Sequence, residues 1–160
     1  FLFSFYTRGM SFIDMAYLKK SDLKNGTITY RRRKTGQQLS VKWEKCMEDI
    51  IAKYRENTAT RYLLPIITNP CSDERTQYRN AICRINVALK EVVGLAGLNI
   101  PLTMHVARHC WASVAKSKNI PLSVISEGMG HDSEETTRIY LASLDTSVVD
   151  KANSLILKDF

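Results

Sequence analysis

Thr27-Ile-Thr-Tyr-Arg-Arg-Arg33 and Gln38-Leu-Ser-Val41 are rich in β-branched and aromatic residues, and Lys34-Thr-Gly36-Gln37 separates them. That order predicts a β-hairpin with Lys34 at or beside its turn. Outward from it the pattern is helical. Residues 1–18 carry apolar side chains at helical spacing with a break at Arg8-Gly9, which predicts the end of one helix and a short second one. Ser11-Phe-Ile-Asp14 has the form of a capping box at the start of that second helix. On the other side, Trp43, Cys46, Met47, Ile50, Ile51 and Tyr54 form one apolar stripe over 43–55. A loop is expected over 65–73, then a helix over 74–93 ending at Gly94 and Gly97. Further helices are expected near 104–117, 121–128, 134–142 and 146–157. Asn119-Ile-Pro121, Gly128-Met-Gly130-His131 and the Leu144-Asp145 region separate them. The expected fold is mainly α with a small antiparallel β-hairpin or sheet, in a single domain over 1–160 without internal repeats.

The chain is long enough to bury a real core, and 44% hydrophobic with 24% charged residues is a globular composition. Its 23 Lys+Arg against 16 Asp+Glu give a net charge of +7, which favours a polyanionic partner over an acidic or neutral one. Cys46, Cys71, Cys83 and Cys110 include no CxxC pair, so neither a zinc ribbon nor a disulfide framework is suggested, and reduced, mostly buried thiols are expected. No apolar run is long enough to span a membrane, and Phe-Leu-Phe-Ser-Phe-Tyr at the start lacks the form of a signal peptide. The chain opens inside a helical pattern without a Met, and we expect a fragment whose upstream domains are absent.

His105 and Arg108 stand three apart at the beginning of a helix that Thr103 is placed to cap, which predicts both side chains on one face near unpaired backbone N–H groups. Such an end attracts anions. Arg108 is able to hold two phosphate oxygens at once, and His105 to donate to a phosphate or accept a proton. His109 is expected about 100° further round the helix, hydrogen-bonded in the core. His131 follows a Gly-Met-Gly helix stop, and Ser133 is a cap for the helix bearing Tyr140. A tyrosine in a helix is ordinarily a packing residue, a histidine in that junction a turn residue, and a lysine in a hairpin turn a solvated charge.

Taken together, Leu102-Thr-Met-His105-Val-Ala-Arg108-His109, Gly130-His131-Asp-Ser133 and Thr137-Arg-Ile-Tyr140 resemble the catalytic core of the tyrosine recombinases, the phage and mobile-element integrases, over nearly the whole chain. The resemblance implies that Tyr140 is the nucleophile forming a 3′-phosphotyrosyl bond, which conserves bond energy so that no cofactor is needed and no metal is called for. It implies that Arg108 clamps the scissile phosphate, that His105 is a base or proton relay, and that His131 donates to the phosphate. It further implies that Lys34 in the hairpin turn protonates the leaving 5′-oxygen, with Arg31, Arg32 and Arg33 adding phosphate-directed charge. The implied partner is double-stranded DNA, bound by a homotetramer assembled through the C-terminal segment, in the bacterial cytoplasm at the nucleoid and not at a membrane.

One departure stands out. The family's first arginine belongs in a segment like Gly-Leu-Arg with an acidic residue three positions on; here the letters are Gly9-Met10-Ser11 with Asp14. If the chain continues helically through Gly9, Arg8 lies one turn from Ser11 and is the expected replacement, with Asp14 orienting a catalytic group or merely capping. The expected activity is site-specific DNA recombination. The rivals are a non-catalytic DNA-binding relative and a type IB topoisomerase that relaxes DNA.

Overall fold

The computed structural model describes residues 1–54, 60–131 and 133–141. Strands β2 (Thr27–Arg31) and β3 (Gln38–Lys42) form the expected hairpin, paired antiparallel with Tyr30 opposite Leu39 and Arg31 opposite Gln38. Their alternation turns Ile28, Tyr30, Leu39 and Val41 inward. Full burial of one such side chain contributes roughly 1.5–3 kcal/mol. A third strand, β1 (Leu23–Lys24), precedes them and was not expected. Its turn is Asn25-Gly26, both at positive φ, 49° and 70°, the pattern that closes the tightest hairpins.

Helices α1 (Leu2–Tyr6) and α2 (Phe12–Ala16) flank the break predicted at Arg8-Gly9. Arg8 and Gly9 both take left-handed backbone, φ 59° and 75°, while the Gly9 N–H donates to Ser4 O at 2.8 Å. The helical continuity that would have brought Arg8 and Ser11 onto one face is therefore absent. Ser11 caps α2 as expected: its Oγ donates to Asp14 Oδ2 at 2.6 Å and accepts from the Asp14 N–H at 3.3 Å. A 3₁₀ turn (Lys20–Asp22) leads into the sheet. Helix α3 (Lys45–Ala52) starts later than the apolar stripe suggested, because the Trp43 N–H still bonds Gly26 O at 2.8 Å and prolongs the sheet.

Helix α4 (Glu74–Leu95) runs through Gly94 before stopping. Helices α5 (Met104–Ser117), α6 (Leu122–Met129) and α7 (Glu134–Leu141) follow where the sequence placed them. The helix expected near 146–157 lies outside the described residues.

Two apolar clusters meet on α5. The larger gathers Phe3, Met10, Phe12, Ile28, Met47 and Met104 from the N-terminal helices, the sheet and α3. In the smaller, Ala112 and Ala115 pack on Ile125, Met129 and Leu141 of α6 and α7. Lys116 Nζ fastens this second layer by donating to Leu141 O at 3.3 Å. Arg108 lies on α5 between the two clusters, at the seam where the sheet, the α1–α2 turn and the α6–α7 turn converge.

Candidate active site

The N-terminus of α5 is fixed differently from the expectation. Thr103 occupies the N-cap with extended backbone, but its side chain makes no capping bond; the Met104 N–H instead donates to Asn86 Oδ1 of α4 at 3.1 Å. The cap comes from a distant residue that no local spacing reveals.

From this anchored helix Arg108 turns inward and is buried. Its Nη1 donates to Gly9 O at 2.8 Å and its Nη2 to Met129 O at 2.6 Å. The approach to Gly9 demands glycine, since a Cβ there would stand 2.7 Å from Arg108 Cγ and 2.8 Å from its Cα. Bonds from a cation to carbonyls are worth about 1.5–3 kcal/mol each and hold the guanidinium in one place. His105 does not share this burial; it is exposed at the surface end of the helix.

His109 corrects the sequence reading. It is half-buried, not sunk in the core, and its ring meets that of His105 edge-on with centroids 4.8 Å apart. The signal was present in the sequence, because residues four apart share a helix face. Both imidazoles titrate below the ordinary value. Partial burial is the main cause for each; His109, Arg108 and Lys34 add positive charge around His105, and Arg108 around His109. Lys34 itself is exposed.

The three arginines before it separate. Arg31 is exposed and donates to Gly36 O of its own loop at 2.6 Å, whereas the Arg33 guanidinium lies over the Tyr17 ring, 3.6 Å from its centroid. Arg32 is buried and donates through Nη1 to Gly130 O. Asp14, also buried, accepts the Arg33 N–H at 2.9 Å on Oδ1 while Oδ2 holds Ser11, so one carboxylate ties the α2 cap to the hairpin loop. An open groove lined by Asp14, Tyr17, Tyr30, Arg31, Arg32 and Arg33 runs beside it.

Arg8 leaves its left-handed turn past Gly128, and Nη1 reaches Ser40 O at 3.4 Å. Tyr30, buried on β2, senses Arg108, Arg32 and Arg8 together with Asp14. Burial first, and Asp14 second, raise its phenol well above the ordinary tyrosine range despite the three cations. It remains a protonated donor and a poor rival nucleophile.

Gly130 closes α6 with left-handed backbone, φ 65°, as the Gly-Met-Gly stop predicted. The His131 N–H then returns to Ser126 O at 3.0 Å, and its Nδ1 lies 2.6 Å from Thr137 Oγ1 in α7. Thr137 is fully buried, so this bond fixes the ring against the helix that carries Tyr140. Ser133 accepts the Thr136 N–H at 3.4 Å, the cap expected for α7. The side chain of Tyr140 lies outside the described part of the structure. Through its bond to Met129 O, Arg108 of α5 meets the turn that carries His131, and His105 stands one helical turn before Arg108 on the same helix.

Among the described residues no three His, Cys, Asp or Glu side chains are grouped to hold a metal, and no helix is long and apolar enough to cross a membrane. The four cysteines are unpaired as expected, but not mostly buried: Cys71 and Cys83 are exposed, Cys46 and Cys110 partly so.

The comparisons agree with this architecture. The XerA recombinase structure superposes with a TM-score of 0.69 at 21% identity, covering 95% of this chain and 55% of that one. XerH site-specific recombinase bound to palindromic difH substrate, a post-cleavage complex, gives 0.61 at 20% identity, covering 95% and 45%. A lambda integrase(75-356) dimer bound to a COC' core site gives 0.57 at 18%, covering 86% and 49%. The chain spans about half the length of these structures. No curated protein matches it. The phage integrase family model matches residues 4–147, and the chain belongs to that family.

Proposed function

We propose that residues 1–160 form the catalytic domain of a site-specific DNA recombinase that cleaves and rejoins DNA through Tyr140. The phenolic oxygen attacks the scissile phosphorus and the bond to the 5′-oxygen breaks. His105 takes up the phenol proton, and Lys34 delivers one to the departing 5′-oxygen. Arg108 and His131 neutralise charge on the non-bridging oxygens. Attack by the 5′-hydroxyl of a second strand reverses each step, so no water and no nucleotide are consumed. A homotetramer joined through the C-terminal segment, acting on two duplexes, completes the proposal.

The observation that supports this reading is the bond from Arg108 of α5 to Met129 O, two residues before His131, with His105 on the same helix, in a chain of net charge +7. Lowered imidazole pKa values keep His105 able to accept a proton near neutrality.

Ser11 in the place of the family's arginine favours a second reading, a DNA-binding relative without turnover. Covalent capture separates them. A pool of duplexes with a randomised centre, nicked so that the cleaved fragment diffuses away, should yield protein–DNA adducts enriched for one sequence. That sequence should then support strand exchange between two duplexes. Binding without adducts would select the non-catalytic relative, and relaxation of plasmids with no preferred site would select a topoisomerase.

A further inference from the structure

We propose that Thr137 is a positioning residue: its buried hydroxyl donates to Nδ1 of His131 and so fixes the tautomer in which Nε2 carries the proton and donates to the phosphate. The inference rests on the phosphoryl-transfer reading above and deepens it.

A helical threonine ordinarily has the carbonyl one turn back as an acceptor. Thr7 shows that arrangement, donating to Phe3 O at 2.7 Å. Thr137 departs from it. Among the described residues the bond of its hydroxyl is to His131 Nδ1, at 2.6 Å, and the residue is sealed from solvent. The direction of that bond follows. If Nδ1 were the donor, the threonine proton would be left without an acceptor in a dry site, a bias of about tenfold or more against that arrangement. The hydroxyl therefore gives its proton to Nδ1. A neutral imidazole carries one N–H, so the proton resides on Nε2 at the far edge of the ring. The opposite tautomer would present a lone pair there, which repels a phosphate oxygen.

Both partners are held before any ligand arrives. Gly130 takes left-handed backbone at the end of α6, and the His131 N–H returns to Ser126 O at 3.0 Å, which sets the origin of the ring. Ser133 accepts the Thr136 N–H at 3.4 Å and fixes the first turn of α7, where Thr137 follows. Thr137 stands three residues before Tyr140, so the helix that bears the proposed nucleophile also orients the proposed donor.

The test begins without DNA, on full-length protein labelled with nitrogen-15 histidine. Long-range imidazole proton–nitrogen correlations are recorded at alkaline pH, where the rings are neutral, and His131 is assigned by its absence from His131→Ala. The parent should show its proton on Nε2 and a bare, hydrogen-bonded Nδ1, and the Nδ1 resonance should move in Thr137→Val. A parent with the proton on Nδ1 would overturn the proposal. Cleavage is then measured at saturating DNA on the sequence recovered from the nicked pool. Thr137→Val should slow it by about 10–10², Thr137→Ser should stay within a few-fold of the parent, and Thr137→Val in the His131→Ala background should slow it no further. Equal slowing in both backgrounds would make Thr137 a packing residue of α7 and overturn the proposal, as would an unchanged rate. If melting shows Thr137→Val unfolded, Thr137→Ala is read on the same cycle with the same criterion. A parent that forms no adduct with any member of the pool would remove the phosphoryl-transfer reading itself. A cleaving parent that carries its proton on Nδ1 would remove this assignment alone.

Discussion

Arg108 and Gly9 meet across a gap that admits only a hydrogen atom: the guanidinium bonds the Gly9 carbonyl at 2.8 Å, and a Cβ on Gly9 would lie 2.8 Å from the Arg108 Cα. The α1–α2 turn and α5 thus touch backbone to backbone. The arginine's placement follows from that contact.

Gly9→Ala should therefore be far more harmful than an alanine at an equally left-handed but open glycine. At Gly26, φ 70°, nothing lies within 4 Å of a new Cβ, so the backbone strain alone should cost about 1–2 kcal/mol. At Gly9 the same strain is joined by a clash with backbone that cannot rotate away, adding about 1–3 kcal/mol. Thermal or urea unfolding of the two variants measures the difference. Equal losses would mean that α5 shifts to accommodate the methyl group.

The assembly of the site is open to test without DNA through His105. Its imidazole should titrate below 6.5 in an NMR pH series, chiefly from partial burial and then from His109, Arg108 and Lys34. Lys34→Ala and His109→Gln should each move it upward, because each removes positive charge facing the imidazolium. A midpoint unmoved by Lys34→Ala would place the hairpin turn away from α5. The sign for stability follows: with folded-state pKa values depressed, the unfolded chain binds more protons. The histidine contribution is present above about pH 6.5 and lost as pH falls through the folded values.

Lys34→Ala should slow cleavage by about 10²–10⁴ when the leaving group is an ordinary 5′-oxygen, and much less when it is a 5′-bridging sulfur, which departs without a proton. Comparable losses on both substrates would exclude Lys34 as the acid.

The sequence displayed the parts of this structure that are local. The hairpin at 27–41, the capping box at Ser11 and Asp14, and the glycine stop at 130 each follow from neighbours within a few residues. The short strand at Leu23–Lys24 is just as local, since Asn25-Gly26 announces its turn. Two matters were not local. Asn86 capping α5 spans 18 residues, and the bond from Arg32 to Gly130 spans 98. Three adjacent arginines look alike in a sequence; only the packing of the hairpin on the α6 terminus buries the middle one. Arg8 misled for the opposite reason. Its nearness to Ser11 in the chain counted for little once two consecutive left-handed residues turned the backbone between α1 and α2.

The central claim is that Tyr140 attacks DNA, and the most direct measurement is the identity of the residue left attached to it. Adducts captured on the nicked duplex pool are digested with protease and nuclease, and the nucleotide-bearing peptide is sequenced by mass spectrometry. The account predicts a 3′-linked nucleotide on Tyr140 and no adduct from Tyr140→Phe. Binding of the Phe variant to the same DNA should be almost unchanged, because phosphate contacts dominate affinity. A nucleotide found on any other residue, or an adduct that survives Tyr140→Phe, would contradict it.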